Sequence, residues 1–284
     1  MKVRGLGNEI YFDEIFVSKA ANNHGECKFK QRIDKDDMSK YQSAVGRTIN
    51  VESDDGRQIF SGEIDDVIVE QTYQGCCAEV TAHSLSVKED EKPETRIFQN
   101  PEKKFIEFLN QGRLNLKNCT LTLDEKLAAK TCKEIILQND ETNFEFIKRM
   151  AAWQGLRVWI NDISAGTCKI KIADCADKSL NSVADENVIR LRLRRRGNIQ
   201  VAELIGNKYF DLGRVLKLNG VNFVIVAQKI YQQNGVDRIY FELEELKSSE
   251  PKDFPKTAPV KLRQPKSRKL KTIKIWGDSA YSLT

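Results

Sequence analysis

The stretch LQNDETNFEFIKRMAAWQGLRVWI, residues 137–160, constrains the fold most, because it packs a strand, a capped helix and a second strand into two dozen residues. Thr142 and Glu145 have the capping-box spacing, in which a Thr side chain and a Glu three residues on satisfy each other's orphan backbone donors. Phe144, Ile147 and Ala151 fall on one helical stripe, and Phe146, Met150 and Trp153 on an adjacent one. Gly155 stands where a helix needs a left-handed stop, and residues 156–160 resume with the bulky apolar residues of a buried strand. A short helix apolar on two flanks is wedged between other elements. The signal is structural; it carries no catalytic pattern.

Around this stretch the chain reads as β-rich. Residues 10–17, 26–33, 48–52, 57–69 and 77–87 have strand composition, with Asp55-Gly56 as a type I′ hairpin signal and Gly62 as a bulge or bend inside the long strand. Residues 100–112 read as a helix, with Asn100 as N-cap, Pro101 at the first position, Phe105, Ile106, Phe108 and Leu109 as its apolar stripe and Gly112 as its end. A short strand is expected at 120–123 and a weak helix or strand at 126–132. Farther on, Cys168, Ile170 and Ile172 alternate with Lys169 and Lys171, and Ile189, Leu191 and Leu193 alternate with Arg190, Arg192 and Arg194. Asn219-Gly220 and Asn234-Gly235 are strong hairpin signals between strands at 214–218, 221–227, 229–232 and 238–246.

These elements predict a mainly β chain with an α+β insert. A first antiparallel β-barrel domain spans 1–95, an α/β insert 96–165, a second barrel 166–247, and an extended basic tail 248–284. The two β regions show no sequence identity to each other, so the repeat is one of architecture. A chain of 284 residues accommodates this layout. The tail holds Pro251, Pro255, Pro259 and Pro265 among many Lys and Arg and few apolar residues, a composition unable to bury a core of its own. Ile273, Ile275 and Trp276 near its end read as a short docking segment.

Charge is uneven. Residues 1–100 carry 13 Lys and Arg against 19 Asp and Glu, and residues 249–284 carry 9 against 3, within an overall +5. An acidic head and a basic tail point to distinct partner surfaces rather than one nucleic-acid footprint. The run VIRLRLRRRG, residues 188–197, lacks the interleaved aromatics that stack on bases. Strict alternation places its odd-numbered residues, Ile189, Leu191 and Leu193, in a core and Arg190, Arg192 and Arg194 on the other face, to be solvated, to meet a charged partner or to line a lumen, with nucleic acid as the remaining reading. Seven cysteines in odd number without CxxC spacing define no zinc site or disulfide framework. His24 and His83 belong to no ligand or triad pattern. The acidic pairs Asp54-Asp55 and Asp65-Asp66 lack the oxygen ladder of a calcium loop and read as turn and surface residues. GxSxG, HExxH, GxxxxGK[ST] and DxDxDG are absent, so no cofactor and no enzymatic activity is expected. No apolar run approaches the roughly 20 residues of a membrane helix, and the N-terminus lacks a signal-peptide core, which places synthesis in a cytoplasm.

Two motifs resemble one family. RIFQN, with Arg96, Phe98, Gln99 and Asn100, is similar to the segment that leaves the first barrel of VgrG-type spike proteins. In the 137–160 stretch, Gln138, Asn139, Glu141, Phe144, Phe146, Arg149 and Gly155 match the signature of the VgrG and late-control D proteins, which include the central baseplate hubs of contractile phage tails and injection particles. The resemblance covers about residues 10–245. It implies two tail-tube-like β-barrels per chain and a homotrimer whose pseudo-hexameric ring joins a hexameric tail tube protein to a trimeric spike protein among other baseplate proteins. It implies no enzymatic residues, and nucleic acid only as genome passing through the lumen. Lys169, Lys171, Arg190, Arg192 and Arg194 become candidate lumen or partner-facing residues, and Ile273, Ile275 and Trp276 candidate spike anchors. The expected location is the bacterial cytoplasm during assembly and then the baseplate of a virion, tailocin or injection particle. The full VgrG chain continues into a further barrel and a needle, whereas this sequence has the basic tail, so the resemblance leads us to expect spike and any wall-degrading activity on other chains. A tail-tip cell-wall hydrolase and a basic nucleic-acid-binding module remain the alternatives.

Overall fold

The computed structural model describes residues 1–6, 12–98, 102–109, 114–131, 135–164, 166–183, 187–233 and 235–246, and the backbone of 274–276. In the first β region, β1 is Lys2–Arg4, β2 Glu14–Ala20 and β3 Glu26–Ile33, then α1 Met38–Gln42, β4 Thr48–Glu52, β5 Gln58–Thr72 and β6 Gly75–His83. The insert follows with β7 Glu94–Phe98, α2 Phe105–Phe108, β8 Cys119–Leu123, α3 Glu125–Ala128, β9 Ile136–Glu141, α4 Asn143–Trp153, β10 Arg157–Ser164 and β11 Thr167–Ala173. The second β region has β12 Asp177–Ser182, β13 Val188–Arg196, β14 Ile199–Gly206, β15 Arg214–Leu218, β16 Val221–Gln233 and β17 Val236–Glu245, and β18 is Lys274–Trp276.

The two β regions belong to one twelve-stranded sheet. The first contributes the order β1-β4-β5-β6-β3-β2, the second β12-β15-β16-β17-β14-β13, and β2 pairs with β16 to join them. Numbered within each region, both orders read 1-4-5-6-3-2, so the chain contains the same six-strand order twice, the first strand alone differing in direction, antiparallel in β1–β4 and parallel in β12–β15. The match extends to detail. The long strands β5 and β16 each bulge against the next strand, between Ile64 and Asp66 and between Ile225 and Ala227. Each then ends in a hairpin closed by Thr72 opposite Gly75 or Gln233 opposite Val236. Alternation along these strands buries one face, with Ile15, Val17, Phe29, Ile49, Phe60 and Val80 of the first region packed with Ala202, Leu204, Phe223, Ile225, Phe241 and Leu243 of the second in one core. One pairing departs from the expected antiparallel pattern: β12 lies parallel to β15.

Turn chemistry explains several corners. Asn219 and Gly220 both have positive φ, as a type I′ turn requires. At Asp55-Gly56 only Gly56 does, and the register shifts between Val51 and Glu52, so this corner is a wider turn. Gly62 is not the bulge. A Cβ there would stand 2.4 Å from the carbonyl oxygen of His83, so glycine permits a close strand approach two residues before the bulge. The stretch expected as strand through residue 87 breaks after His83, and Leu85–Glu89 forms a 3-10 turn that buries Leu85, Ser86 and Glu89.

The insert stacks α4 between two small sheets, β10-β11-β8 and β18-β7-β9. Its core gathers Phe98, Phe105, Leu127, Phe144, Phe146, Ile147, Met150, Val158, Ile170 and Ile172. The expected division between residues 165 and 166 falls inside the β10–β11 hairpin, and β11, with Cys168, Ile170 and Ile172, packs in the insert. The predicted Asn100 cap, Pro101 and the Gly112 stop lie outside the described residues; the described helix starts at Phe105. A third cluster around Trp159, Ala173, Val215, Val224 and Val226 seats the insert on the sheet. Asn22 strengthens that seat, its backbone N–H donating to the Val158 carbonyl and its Oδ1 accepting from the Val158 N–H, each at 2.8 Å.

Candidate functional site

The residues of the two signature motifs converge on one knot at β7, β9 and α4. Thr142 and Glu145 form the capping box, and Gly155 ends the helix at φ 70°. Arg96 is buried and donates to Gln138 Oε1 at 3.0 Å and Asn143 Oδ1 at 2.7 Å, with Glu94 3.7 Å away. Burial lowers the guanidinium's affinity for its proton, and Glu94 and Glu89 oppose the shift. Gln138 also donates to the Glu141 carbonyl. Arg149 grips both oxygens of Glu141 at 2.7 and 2.8 Å, donates to the Leu137 carbonyl at 2.6 Å, and lies over the Phe146 and Trp153 rings. Phe98 stacks on Phe146 with centroids 5.5 Å apart, and Phe144 is buried against His24. Asn139 is on β9 between these residues. Gln99 and Asn100 lie outside the described residues. These groups hold one another, an arrangement that fixes the backbone of β7, β9 and the start of α4.

The five charged candidates separate. Lys169 and Lys171 lie on β11 in the insert, Lys171 donating to the Ala176 carbonyl at 2.7 Å. Arg190, Arg192 and Arg194 share one face of β13, opposite Ile205, Glu203 and Val201 of β14. With Glu203, Glu242, Lys229 and Tyr240 they line a groove of about 310 Å³ on the outer face of the sheet. Arg192 and Arg194 lie 3.8 and 3.4 Å from Glu203, and Arg194 3.9 Å from Glu242. Ile189 and Leu193, expected in the core, are 64% and 49% exposed, while Leu191 packs against it. β13 is the last strand of the sheet path, and among the described residues no strand lies on its far side to cover them.

A cavity of about 250 Å³ opens where β2, β5, β10, β11 and the 209–212 loop meet. Its wall holds an ion pair between Lys19 and Asp162, both buried and 143 residues apart in sequence. Burial raises the Asp162 pKa and the Lys19 charge opposes it. Arg57 pairs with Asp211 at 2.6 Å across the same cavity. The pair joins β2 of the first β region to β10 of the insert and so ties two distant parts of the chain together. Nothing in the local sequence of Lys19 or Asp162 marks the pair, because only the fold brings them together. Among the described residues no His, Cys, Asp and Glu group is arranged to hold a metal, and no helix is long and apolar enough to cross a membrane.

The backbone of the predicted docking segment pairs with the insert of its own chain. β18 lies parallel to β7, with Lys274, Ile275 and Trp276 opposite Arg96, Ile97 and Phe98. Ile273 lies outside the described residues.

The fold, with a 1-4-5-6-3-2 strand order repeated on either side of an α/β insert, is shared with solved phage-tail and type VI secretion proteins. A structure of the E. coli c3393 protein, described as a component of the type VI secretion system similar to T4 bacteriophage tail proteins gp27 and gp5, superposes with TM-score 0.67 at 11% identity, covering 90% of this chain and 80% of that one. A tail protein from Neisseria meningitidis MC58 gives 0.60 at 10% identity over 86% and 95% of the two chains. The 43 kDa tail protein of prophage MuSo2 from Shewanella oneidensis gives 0.59 at 11% over 85% and 95%. A Francisella PdpA-VgrG complex gives 0.52 at 9%, spanning 54% of that chain. No family model matches the sequence, and no curated protein does.

Proposed function

We propose that this chain is a non-catalytic structural hub of a contractile tail or related injection particle, three copies of which form a ring between a hexameric tail tube and a trimeric spike. The observation that carries this reading is similarity along nearly the whole chain, 85–90% of it, to tail proteins and a secretion-system component. The duplicated topology supplies a physical rationale. Two like units per chain let a threefold object present six similar faces, so one interface chemistry serves each position of a sixfold tube. In this reading the outer face with Arg190, Arg192 and Arg194 lines the lumen, and genome passing through is its only nucleic acid. Ile273, Ile275 and Trp276 contact the spike, which requires Ile275 and Trp276 to leave β7 or to be approached there.

Purified particles test the proposal. The chain should be a stoichiometric component at the tube–spike junction, located by antibody labelling, and particles from a strain lacking it should have no spike. Finding it absent from intact particles overturns the reading.

A further inference from the structure

Two cysteines face each other across the outer ladder of the insert. Among the described residues β8 is an edge strand of the β10-β11-β8 sheet, and its ladder to parallel β11 begins with Cys119 opposite Cys168. Paired residues of a ladder point to the same face, and both side chains enter the insert core, each 1% exposed. Both are free thiols. Adjacent strands lie about 4.8 Å apart, inside the Cα span that a disulfide bridges. The Cys119 thiol is within hydrogen-bond reach of the Cys168 sulfur and of the Glu89 carboxylate. Glu89 is itself buried and fixed, accepting from the Lys117 N–H at 2.6 Å and from Asn143 Nδ2 at 3.1 Å, so it holds the Cys119 thiol in place beside its partner. We propose that Cys119 and Cys168 are a redox-active pair, converted from two thiols to one intrachain disulfide by a small disulfide oxidant such as oxidised glutathione.

Position lets the pair react without unfolding the insert. The rung is the first of the ladder that runs from Cys119–Cys168 to Leu123–Ile172. Fraying at the start of an edge strand therefore uncovers both sulfurs and leaves the later pairs in place. While the ladder is closed, the Cys168 thiol and burial push the Cys119 thiol up, so it stays protonated and inert. Fraying returns Cys119 to water, where its thiol loses a proton. The Cys119 thiolate attacks one sulfur of the oxidant, forming a mixed disulfide and releasing one thiolate. Cys168, losing its own proton, attacks the Cys119 sulfur, forming the Cys119–Cys168 bond and releasing the second thiolate. Two protein thiols are oxidised, one disulfide is reduced, and the two thiol protons end, through water, on the two released thiols. The new bond closes a loop over residues 119–168, which contains β9, α4 and β10, and fastens the edge strand to its sheet. This chemistry is independent of the ring proposed above, and only its timing rests on that reading. A particle built in a reducing cytoplasm and working outside the cell would carry the thiols through assembly and the bond after release.

The test uses the full chain, purified with a reductant and then held, folded, in buffer with either reduced or oxidised glutathione. Remaining thiols are blocked with N-ethylmaleimide under denaturing conditions, and trypsin then releases residues 118–126 and 158–169, each carrying one of the two cysteines. After oxidation the two peptides are expected as one cross-linked species, two hydrogen masses below their sum, which dithiothreitol separates. After incubation with reduced glutathione both should be found alkylated. The oxidised wild type should also melt about 5–10 °C above the reduced one, a comparison that needs no variant. Cys168→Ser should lose both the cross-link and the shift. Peptides 118–126 and 158–169 that stay separate and alkylated after oxidised glutathione overturn the proposal. So does either cysteine found bonded to a different one. Neither of those results bears on the hub reading, which stands or falls on the particles.

Discussion

Arg96 shows how a buried charge organises its neighbours. Its guanidinium satisfies Gln138 and Asn143, and Asn143 in turn donates to Glu89 at 3.1 Å and to the Leu114 carbonyl at 3.0 Å. Arg96→Met leaves those buried acceptors unpaired and should destabilise the chain by about 2–4 kcal/mol, measured by urea unfolding. Arg96→Lys should recover only part of the loss, because a point charge cannot reproduce the planar fork. Asp90 makes a pH prediction. Burial raises its pKa, but hydrogen bonds from His24 and Thr142 outweigh that and hold it below the ordinary 3.8. A carboxylate with a depressed folded pKa adds stability that is whole above about 3.8 and vanishes as pH falls through the folded value. Asp90→Asn should therefore be less stable than wild type at neutral pH, with the difference closing below about pH 3.8 in pH-resolved melting. At this scale the sequence was informative where the determinants are local: Thr142, Glu145 and Gly155 could be read from spacing alone. The partners of Arg96 and the Lys19–Asp162 pair could not, because they are set by long-range packing.

Among elements, the helix was legible and the sheet only partly so. α4 has all its signals within its own residues, and Thr142→Ala should cost about 1 kcal/mol or more, since the hydroxyl caps Glu145 N–H and also bonds Asp90. For β5 and β16, sequence alternation located the strands, yet nothing local says that residues 221–233 form one strand serving two different neighbours. Gly62 is a second case, where the reason for glycine lies on the strand opposite. Gly62→Ala should shift or unfold the β5–β6 ladder, seen as lost amide protection along Ile64–Thr81 in hydrogen exchange, because the carbonyl it would strike is backbone and cannot swing away.

Over the whole molecule, the repeat was recognisable as a layout of two β regions, while its strand-by-strand identity was hidden because the two halves fill equivalent positions with different residues. Lys28 lies between Thr81 and Phe16 as Glu203 lies between Glu242 and Arg192, so Arg192 stands where Phe16 stands, and Glu203 where Lys28 stands. Topology survives such exchanges, since it depends on which faces are apolar and not on which side chains make them so. One core spans both regions, so residues 1–246 should melt in a single transition with equal calorimetric and van't Hoff enthalpies; two separated transitions would show that the halves unfold independently. Truncation after Lys247 removes only the three-residue β18 ladder from the described structure and should move that transition by no more than a few degrees.

The seam between the halves also has a mechanical meaning. Seven consecutive residue pairs, Ala20 with Ala227 through Glu14 with Gln233, tie β2 to β16 along their length. A load applied along the strand direction, with one half held and the other pulled, shears all seven pairs at once, whereas a load across the sheet peels them one at a time. The chain is therefore stiff along its strands and weak across them. An object built of such chains with their strands along the direction of thrust would carry the force in the direction that these ladders resist.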